Sequence, residues 1–295
     1  MKIIINGHTL VAVTLLTSLL AFSATDGETV TAAPQKTPSD HLKAHVLALT
    51  GTPKPRNFEN LAALNAAADY IRLHFEQIGL TVWEQKFNVR GNEYRNIRAV
   101  LGSGPGQRIV VGAHYDVCGA QPGADDNASG VAGLIELARA LGAEKSRVRL
   151  PVEFVAYALE EPPFFRTKDM GSYQHANELF QSKTEVDFML CLESIGYFTD
   201  APDTQKYPLD GLKALYPATG NFVAVVGDTN SAEVVLRVCA FMKTNGLIDC
   251  RPLVAPTSVV GLDFSDHLNY WRFHYKAVMV TDTAFYRNKA YHTPG

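Results

Sequence analysis

Histidine and carboxylate residues follow four separate apolar stretches of this 295-residue chain. RIVVGA is followed by His114-Tyr115-Asp116, and PVEFVAYAL by Glu160-Glu161. DFMLCL ends in Glu193, and KAVMVTDTAFYRN leads to Tyr291-His292. Neutral imidazole and carboxylate oxygen are zinc ligands, and two adjacent carboxylates after a buried strand are costly unless a cation or a proton transfer uses them. These residue types predict a metal-dependent hydrolytic site.

A further acidic group, Asp125-Asp126-Asn127, follows a glycine-rich turn and precedes a helical pattern. Asp and Asn are also common helix N-caps, so this group alone is equally compatible with a helix start. Asp116 lies two residues beyond His114, a spacing that lets a carboxylate orient a ligating imidazole through its second nitrogen. Taken singly, His114 could be a hydrogen-bonded loop histidine and Glu193 a surface glutamate. The prediction of a metal site therefore depends on all of these residues taken together.

The elements that must position these residues are short β-rich runs separated by helical patterns. Strands are predicted over 81–101, 108–113, 151–159, 186–192, 221–227 and 276–281, and helices over 60–79, 129–141, 170–181 and 231–244. This pattern is typical of buried parallel strands in an α/β sheet. Ligands of such sheets bind beyond the carboxyl ends of the strands, so the candidate residues are expected to meet at one edge.

The GxGxG string in GSGPG (102–106) has a nucleotide-binding alternative, but that motif requires a following helix. A strand is predicted after it instead, and Pro105 suits a turn. The formal charge of -3 and the pI near 6.3 provide no basic surface for nucleic acid. With 46% hydrophobic residues the chain can bury one large core, so residues 41–295 are predicted to form a single catalytic domain.

The N-terminus has the pattern of a secretory signal peptide over residues 1–24: Lys2, an apolar run from Leu10 to Ala21, and small residues through Ala24. Its apolar core is too short to favour a permanent membrane span, although an uncleaved anchor is the alternative. The polar residues 25–40 are expected to be a flexible tail. We therefore expect a periplasmic or secreted protein with no stable membrane span after cleavage.

Export would permit disulfide bonds between the four cysteines. Cys239 and Cys250 are the expected pair because both lie outside the predicted strand-end site. Cys118 and Cys191 match no CxxC metal motif, and ordinary packing is expected for both.

Six motifs together resemble metallopeptidase family twenty-eight, the co-catalytic zinc aminopeptidases, which are related to glutaminyl cyclases. They are AHYD (113–116), GADDNASG (123–130), YALEE (157–161), LESIGY (192–197), FSDH (264–267) and YHT (291–293), in the family order. The resemblance implies a three-layer α/β sandwich with a central mixed, mostly parallel sheet flanked by helices. It also implies that relatives continue beyond the position of Gly295, so the C-terminal end of the domain is expected to be truncated.

The resemblance implies two zinc ions. His114 and Glu193 would hold one, Glu161 and His292 the other. Asp126 would bridge them, because the family's bridging ligand stands directly before the Asn, and the peptide after it is cis in relatives. Asp116 would orient His114. Glu193 departs from the Asp that is often found at its position.

Glu160 matches the family's general base, and Tyr291 matches a tyrosine that donates to the substrate carbonyl oxygen in some members. His267 is assigned a supporting role, since the family's ligand is the histidine of YHT. The implied activity is that of a metalloprotease: hydrolysis of the N-terminal peptide bond of peptides with a free N-terminus, by a water shared between two zinc ions. The alternatives are a glutaminyl-peptide cyclotransferase, which uses one zinc, and a non-catalytic binding module of the same fold.

Overall fold

An eight-stranded mixed sheet forms the centre of the molecule. The computed structural model describes residues 37–103, 106–244 and 248–293. The strands are β1 (Thr81–Val89), β2 (Asn92–Leu101), β3 (Arg108–His114), β4 (Val152–Tyr157), β5 (Val186–Glu193), β6 (Phe222–Gly227), β7 (Asp249–Val254) and β8 (Ala277–Thr281). Their order across the sheet is β1-β2-β4-β3-β5-β8-β6-β7.

The four central strands, β4, β3, β5 and β8, run parallel to one another. The antiparallel hairpin β1–β2 extends the sheet beyond β4, and β6 pairs antiparallel to β8 while β7 runs parallel to β6. Because parallel strands end at the same edge, the chain segments that follow β3, β4 and β5 leave the sheet side by side. The predicted mixed, mostly parallel sheet is therefore confirmed.

Helices cover both faces of the sheet. They are α1 (Pro38–Thr50), α2 (Leu61–Ile78), α3 (Gly130–Ala143), α4 (Gly171–Gln181), α5 (Ala232–Thr244) and α6 (His267–Trp271). One face packs against α1, α2, α3 and α5, and the other against α4 and α6. Strands β4, β6 and β8 are buried along their whole length, which explains their nearly continuous apolar sequences. The three-layer sandwich expected from the resemblance is confirmed.

Helix α1 corrects the expected N-terminal tail. The helix begins at Pro38, so residues 38–40 are helical and do not belong to a flexible tail. The Thr37 side chain accepts from the backbone N–H of Asp40, and the Asp40 carboxylate accepts from the backbone N–H of Thr37. This reciprocal cap, with proline in the first turn, fixes the helix start. The proposed signal peptide and the rest of the tail, to residue 36, lie outside the described residues.

Of the helices and strands named above, α1, β7 and the short α6 were not predicted. Strand β7 contains Pro252 and lacks a regular alternation of apolar residues. It lies at the edge of the sheet, where a missing backbone N–H is tolerated. A disulfide joins Cys250 of β7 to Cys239 of α5, which confirms the predicted pair. β3 begins soon after GSGPG, so a strand and not a helix follows that segment, as predicted. Across the described ranges, every helix is either too short or too polar to cross a membrane.

Candidate active site

The candidate ligands meet at the edge of the sheet where β3, β4 and β5 end. His114 is the last residue of β3 and Glu193 the last of β5, while Glu160 and Glu161 lie just beyond β4. The Nε2 atom of His114 lies 3.1 Å from Glu193 Oε2 and 3.8 Å from Glu160 Oε2. All four side chains are buried. The prediction that distant residues converge at this edge is confirmed.

Asp126 lies between the two histidines. Its Oδ1 is 3.2 Å from His114 Nε2, and its Oδ2 is 3.0 Å from His292 Nε2. His292 Nε2 is also 3.4 Å from Glu161 Oε2. The buried Asp126 Oδ1 accepts no well-oriented hydrogen bond despite the short distance to His114. Ligand atoms that face a common point in this way suit a shared cation better than a direct hydrogen bond.

The turn Ala124–Ser129, which leads into α3, sets the orientation of Asp126. The peptide between Asp126 and Asn127 is cis, as the resemblance implied. Asn127 fixes the turn: its side-chain amide donates to Leu192 O at 2.9 Å, and its side-chain oxygen accepts from the backbone N–H of Ser194 at 3.1 Å. At Gly123 (φ 58°) a Cβ would come within 2.3 Å of Asp126 O, so the turn requires glycine there.

Asp125 faces away from the histidines. Its carboxylate accepts from the backbone N–H of Gly196 at 3.0 Å and from the Asn288 side chain at 3.0 Å. The selection of Asp126 over Asp125 as the bridging residue, made from the motif, is therefore consistent with the side-chain directions.

Asp116 lies 3.5 Å from His114 Nδ1, on the side of the imidazole away from Asp126. The Asp116 carboxylate also accepts the backbone N–H of Glu160 and that of Glu161, each at 3.1 Å. This second contact was not predicted. It ties the loop after β4 to the loop after β3 and so holds both glutamates in place.

Burial raises the pKa of Glu160 well above its usual range, and the nearby Glu161 and Glu193 carboxylates act in the same direction. Burial, followed by the charge of Asp126, raises the pKa of Glu161 to about 8. Burial opposes a charge on His292, but the hydrogen bonds and charges of Asp126 and Glu161 together outweigh burial and raise the pKa of His292 to about 10. Without a bound cation, the raised pKa values of Glu160, Glu161 and His292 favour bound protons at the site, in addition to the charge of the buried Arg56.

The ligand types fit divalent cations. His114, Asp126 and Glu193 form one group whose ligand atoms lie within 4.8 Å of one another. His114, Glu160 and Glu161 form a second such group, and Cys118, Glu161 and His292 a third. Within the part of the chain that the structure describes, no lysine or arginine forms an ion pair with these carboxylates. The side chains that contact these carboxylates at ion-pair distance are those of His114 and His292. Mixed imidazole and carboxylate ligation is typical of zinc.

Tyr291 lies beside the predicted ligands. Its ring stacks on that of His292, with centroids 3.9 Å apart and planes inclined by 11°. Burial and the charge of Asp126 raise the pKa of Tyr291, so its hydroxyl remains protonated at neutral pH. A protonated phenol can donate a hydrogen bond to a substrate oxygen.

Three residues near the site were missed by the sequence analysis. Ser265 Oγ donates to Glu193 Oε2 at 2.7 Å, and Ser194 Oγ donates to Glu193 Oε1 at 2.8 Å. Asp266 is completely buried, neither of its oxygens accepts a hydrogen bond, and burial raises its pKa to about 7. The FSDH motif identified this segment, but a role was predicted only for His267. That histidine contacts the Leu262 carbonyl at 2.8 Å, consistent with its predicted supporting role.

Cys118 corrects the expectation that it serves only in packing. The thiol is partly exposed and lies in the site, because the loop after β3 folds back toward Glu161. The backbone N–H of Cys118 donates to Glu161 Oε1 at 3.0 Å. Cys191, in contrast, is buried in β5, as expected for a packing residue.

A largely apolar pocket of about 780 Å³, including its open mouth, adjoins Glu193 and Tyr291. The strands β6 and β8 contribute Phe222, Ala224, Val226 and Met279 to its lining. The loops contribute Tyr207, Tyr216, Leu262, Phe264 and Phe285. The polar site at the strand ends thus opens onto a space that suits an apolar group.

Known proteins resemble this chain in sequence and in fold. Residues 96–295 match the model of peptidase family M28. The chain is 43% identical over 270 residues to the protein described as uncharacterized protein YfbL from Escherichia coli (strain K12), covering 89% of this chain and 82% of that protein.

Solved structures with a similar fold include the LapA aminopeptidase of Legionella pneumophila, with a TM-score of 0.66 and 18% identity, covering 96% of this chain and 67% of that chain. A Zn-dependent exopeptidase from Parabacteroides distasonis has a TM-score of 0.63 and 19% identity, covering 89% of this chain and 91% of that chain. Glutaminyl cyclases are also among the similar structures. At these identities the structural likeness establishes the fold.

Proposed function

Since the chain belongs to peptidase family M28, we propose that it is a two-zinc aminopeptidase that removes large apolar residues from the N-terminus of peptides. The observation that carries this proposal is the position of Asp126. Each of its carboxylate oxygens faces a different histidine, at 3.2 Å and 3.0 Å. A bridging carboxylate between two ligand groups is the arrangement that a pair of metals requires.

In this proposal His114 and Glu193 hold one zinc, Glu161 and His292 hold the other, and Asp126 contacts both. When bound, the two ions supply Lewis acidity that activates water for attack and polarises the scissile carbonyl group. The motif matches and the short contacts among these side chains support the assignment.

Glu160 is the proposed general base. It lies among the ligand side chains, 3.8 Å from His114, but makes no shorter contact with either histidine. From this position a carboxylate can take a proton from an attacking water and later return it to the leaving amine. The Tyr291 hydroxyl, which stays protonated, is proposed to donate a hydrogen bond to the carbonyl oxygen as negative charge develops there.

The free α-amine of the substrate is proposed to lie near Glu193, which borders both the ligand cluster and the apolar pocket. An ammonium or amine group placed there would direct the first side chain into the pocket. The apolar lining supports a preference for residues such as leucine, phenylalanine or methionine, because burying their side chains removes apolar surface from water.

Export of the protein is also proposed. The disulfide between Cys239 and Cys250 supports it, because such bonds persist mainly in oxidising compartments. Fractionation of the producing cell, with N-terminal sequencing of the mature protein, tests this point. Recovery of the full-length chain from the cytoplasm would contradict it.

The activity is tested with aminoacyl-nitroanilides of leucine, phenylalanine, aspartate and lysine, together with metal analysis before and after chelation. We expect zinc-dependent release that is fastest for the apolar residues. The pocket variant Ala224→Phe should shift the preference toward smaller residues without changing the zinc content, since Ala224 lines the pocket and lies outside the ligand cluster.

An N-terminal glutamine peptide serves as the contrasting substrate, because glutaminyl cyclases share the fold. Formation of pyroglutamate without release of an amino acid would overturn the proposal in favour of a cyclotransferase. Absence of both reactions in a zinc-loaded protein would favour a binding module.

A further inference from the structure

The Cys118 thiol occupies a position in the site that the proposed reaction does not use. The Sγ atom of Cys118, a carboxylate oxygen of Glu161 and a ring nitrogen of His292 all lie within 4.8 Å of one another. Ligand atoms that share one tetrahedral zinc, at bonds of about 2.0 to 2.3 Å, lie roughly 3.3 to 3.8 Å apart. The three atoms are therefore placed to surround one ion after small side-chain rotations.

The loop that carries Cys118 is held against this group. The backbone N–H of Cys118 donates to Glu161 Oε1 at 3.0 Å, while Glu161 Oε2 lies 3.4 Å from His292 Nε2. The same carboxylate thus links the cysteine loop to the histidine. The adjacent Asp126 connects this group to the other histidine: its Oδ2 faces His292 at 3.0 Å, while its buried Oδ1, which accepts no hydrogen bond, faces His114 at 3.2 Å.

We propose that Cys118 is a sulfur ligand of the cation held by Glu161 and His292. The inference rests on the proposed two-metal site. On binding, the thiol releases its proton to solvent and the sulfur donates an electron pair to the ion, with no change in oxidation state. The position at His114 and Glu193 contains no cysteine. The two positions therefore differ in character: the first has nitrogen and oxygen ligands, and the second adds sulfur.

A thiolate ligand favours soft metals such as zinc and cadmium over magnesium or manganese. The His292 position is thus expected to bind Cd²⁺ more tightly than the His114 position does.

Cobalt substitution of the full-length protein tests the inference directly. Co²⁺ bound by a thiolate gives a sulfur-to-cobalt charge-transfer band in the near ultraviolet, in addition to the visible ligand-field bands of any bound Co²⁺. The band should be present in the wild-type protein and lost in both Cys118→Ser and Cys118→Ala. It should persist in Cys191→Ser, which removes the other free cysteine of the chain.

Cadmium titration provides a second readout. Loss of the sulfur ligand should weaken binding of one Cd²⁺ by roughly tenfold to a hundredfold, the range seen when partners of metal ligands are removed. Ligand-field bands without a charge-transfer band in the wild type would overturn the role of Cys118 and leave the metal site intact. Absence of any bound cobalt would instead count against the two-metal site. The two failures are therefore distinguishable.

Discussion

Two buried clusters of charge lie on the same sheet, and they are neutralised in different ways. Near the start of β4, Glu153 is completely buried and is contacted by three basic side chains. Its carboxylate lies 2.7 Å from Arg98, 2.8 Å from Arg108 and 3.1 Å from His175. Burial opposes its charge, but His175 and Arg98 outweigh burial and hold the pKa of Glu153 well below its usual range.

The carboxylates beyond the strand ends are not neutralised by arginine in this way. The buried carboxylates there, Asp126, Glu160, Glu161 and Glu193, form ion pairs with no lysine or arginine of the described chain. Burial raises the pKa of Glu160 and of Glu161. The Glu153 network pairs its carboxylate with arginine at short range, whereas the buried Arg56 acts on Asp126 and Glu161 through its charge alone and donates its hydrogen bonds to backbone carbonyls. Bound metal ions would supply positive charge in direct contact with the carboxylates, which separates a metal site from an ordinary buried salt bridge.

The largest effect is expected for Glu160→Gln. Removal of the proposed base should lower kcat by about a hundredfold to ten-thousandfold, since proton transfer by a positioned side chain contributes that range. The amide keeps the side-chain volume, so the zinc content and the thermal midpoint should change little. Assay of leucine release and metal analysis measure the two quantities. The exposed Glu93→Gln variant is the matched control, and equal turnover in the two variants would contradict the assignment.

Glu153→Gln should affect stability and leave metal binding unchanged. Loss of the central carboxylate leaves Arg98 and His175 buried without their partner, and breaking a buried pair in this way typically costs about 3 to 5 kcal/mol of the free energy of unfolding. Urea denaturation of the zinc-loaded protein measures this loss. A reduced zinc content in the folded variant would show that the two clusters are not independent.

The two clusters should respond to pH in opposite directions. The raised pKa values of Glu161, about 8, and Asp266, about 7, mean that the folded metal-free protein retains protons that the unfolded chain has released. Their contribution to stability is therefore full below their unfolded values of 4.5 and 3.8 and is lost as the pH rises through about 7 to 8. The lowered pKa of Glu153 gives stability that is present above 4.5 and lost on acidification.

Urea midpoints measured between about pH 3 and pH 9, with and without zinc, test this difference. Bound zinc should reduce the loss of stability at alkaline pH, because the cation replaces the bound proton at Glu161. An alkaline loss of equal size with zinc bound would contradict this explanation. The Glu153→Gln variant should keep the alkaline dependence and lose part of the acidic one.

The smallest effect is expected at the exposed end of the Glu153 network. Arg98 also contacts Glu178, at 2.6 Å, but the Glu178 side chain is 50% exposed. Glu178→Gln should therefore cost less than about 1 kcal/mol of the free energy of unfolding, as is usual for solvent-exposed pairs. A loss comparable with that of Glu153→Gln would show that exposure does not decide the strength of these contacts.

The sequence predicted the parts of the molecule that depend on local pattern. The apolar runs identified β3, β4 and β5, and the residues that follow them, such as His114 and Glu193, do meet at one edge. The resemblance also implied the cis peptide after Asp126, which the structure contains. The prediction of a shared edge succeeded because the carboxyl ends of parallel strands lie together, which is a property of the sheet and not of particular side chains.

The tertiary structure alone determined which side chains touch. The contacts of Asp116 with the loop after β4, the buried Asp266 and the approach of Cys118 to His292 have no signal in the local sequence. The edge strand β7 was also missed, since its proline is acceptable only where no neighbour needs the N–H. Sequence pattern specifies periodicity along one element, whereas contact between elements depends on strand register, loop path and burial, which the whole fold sets at once.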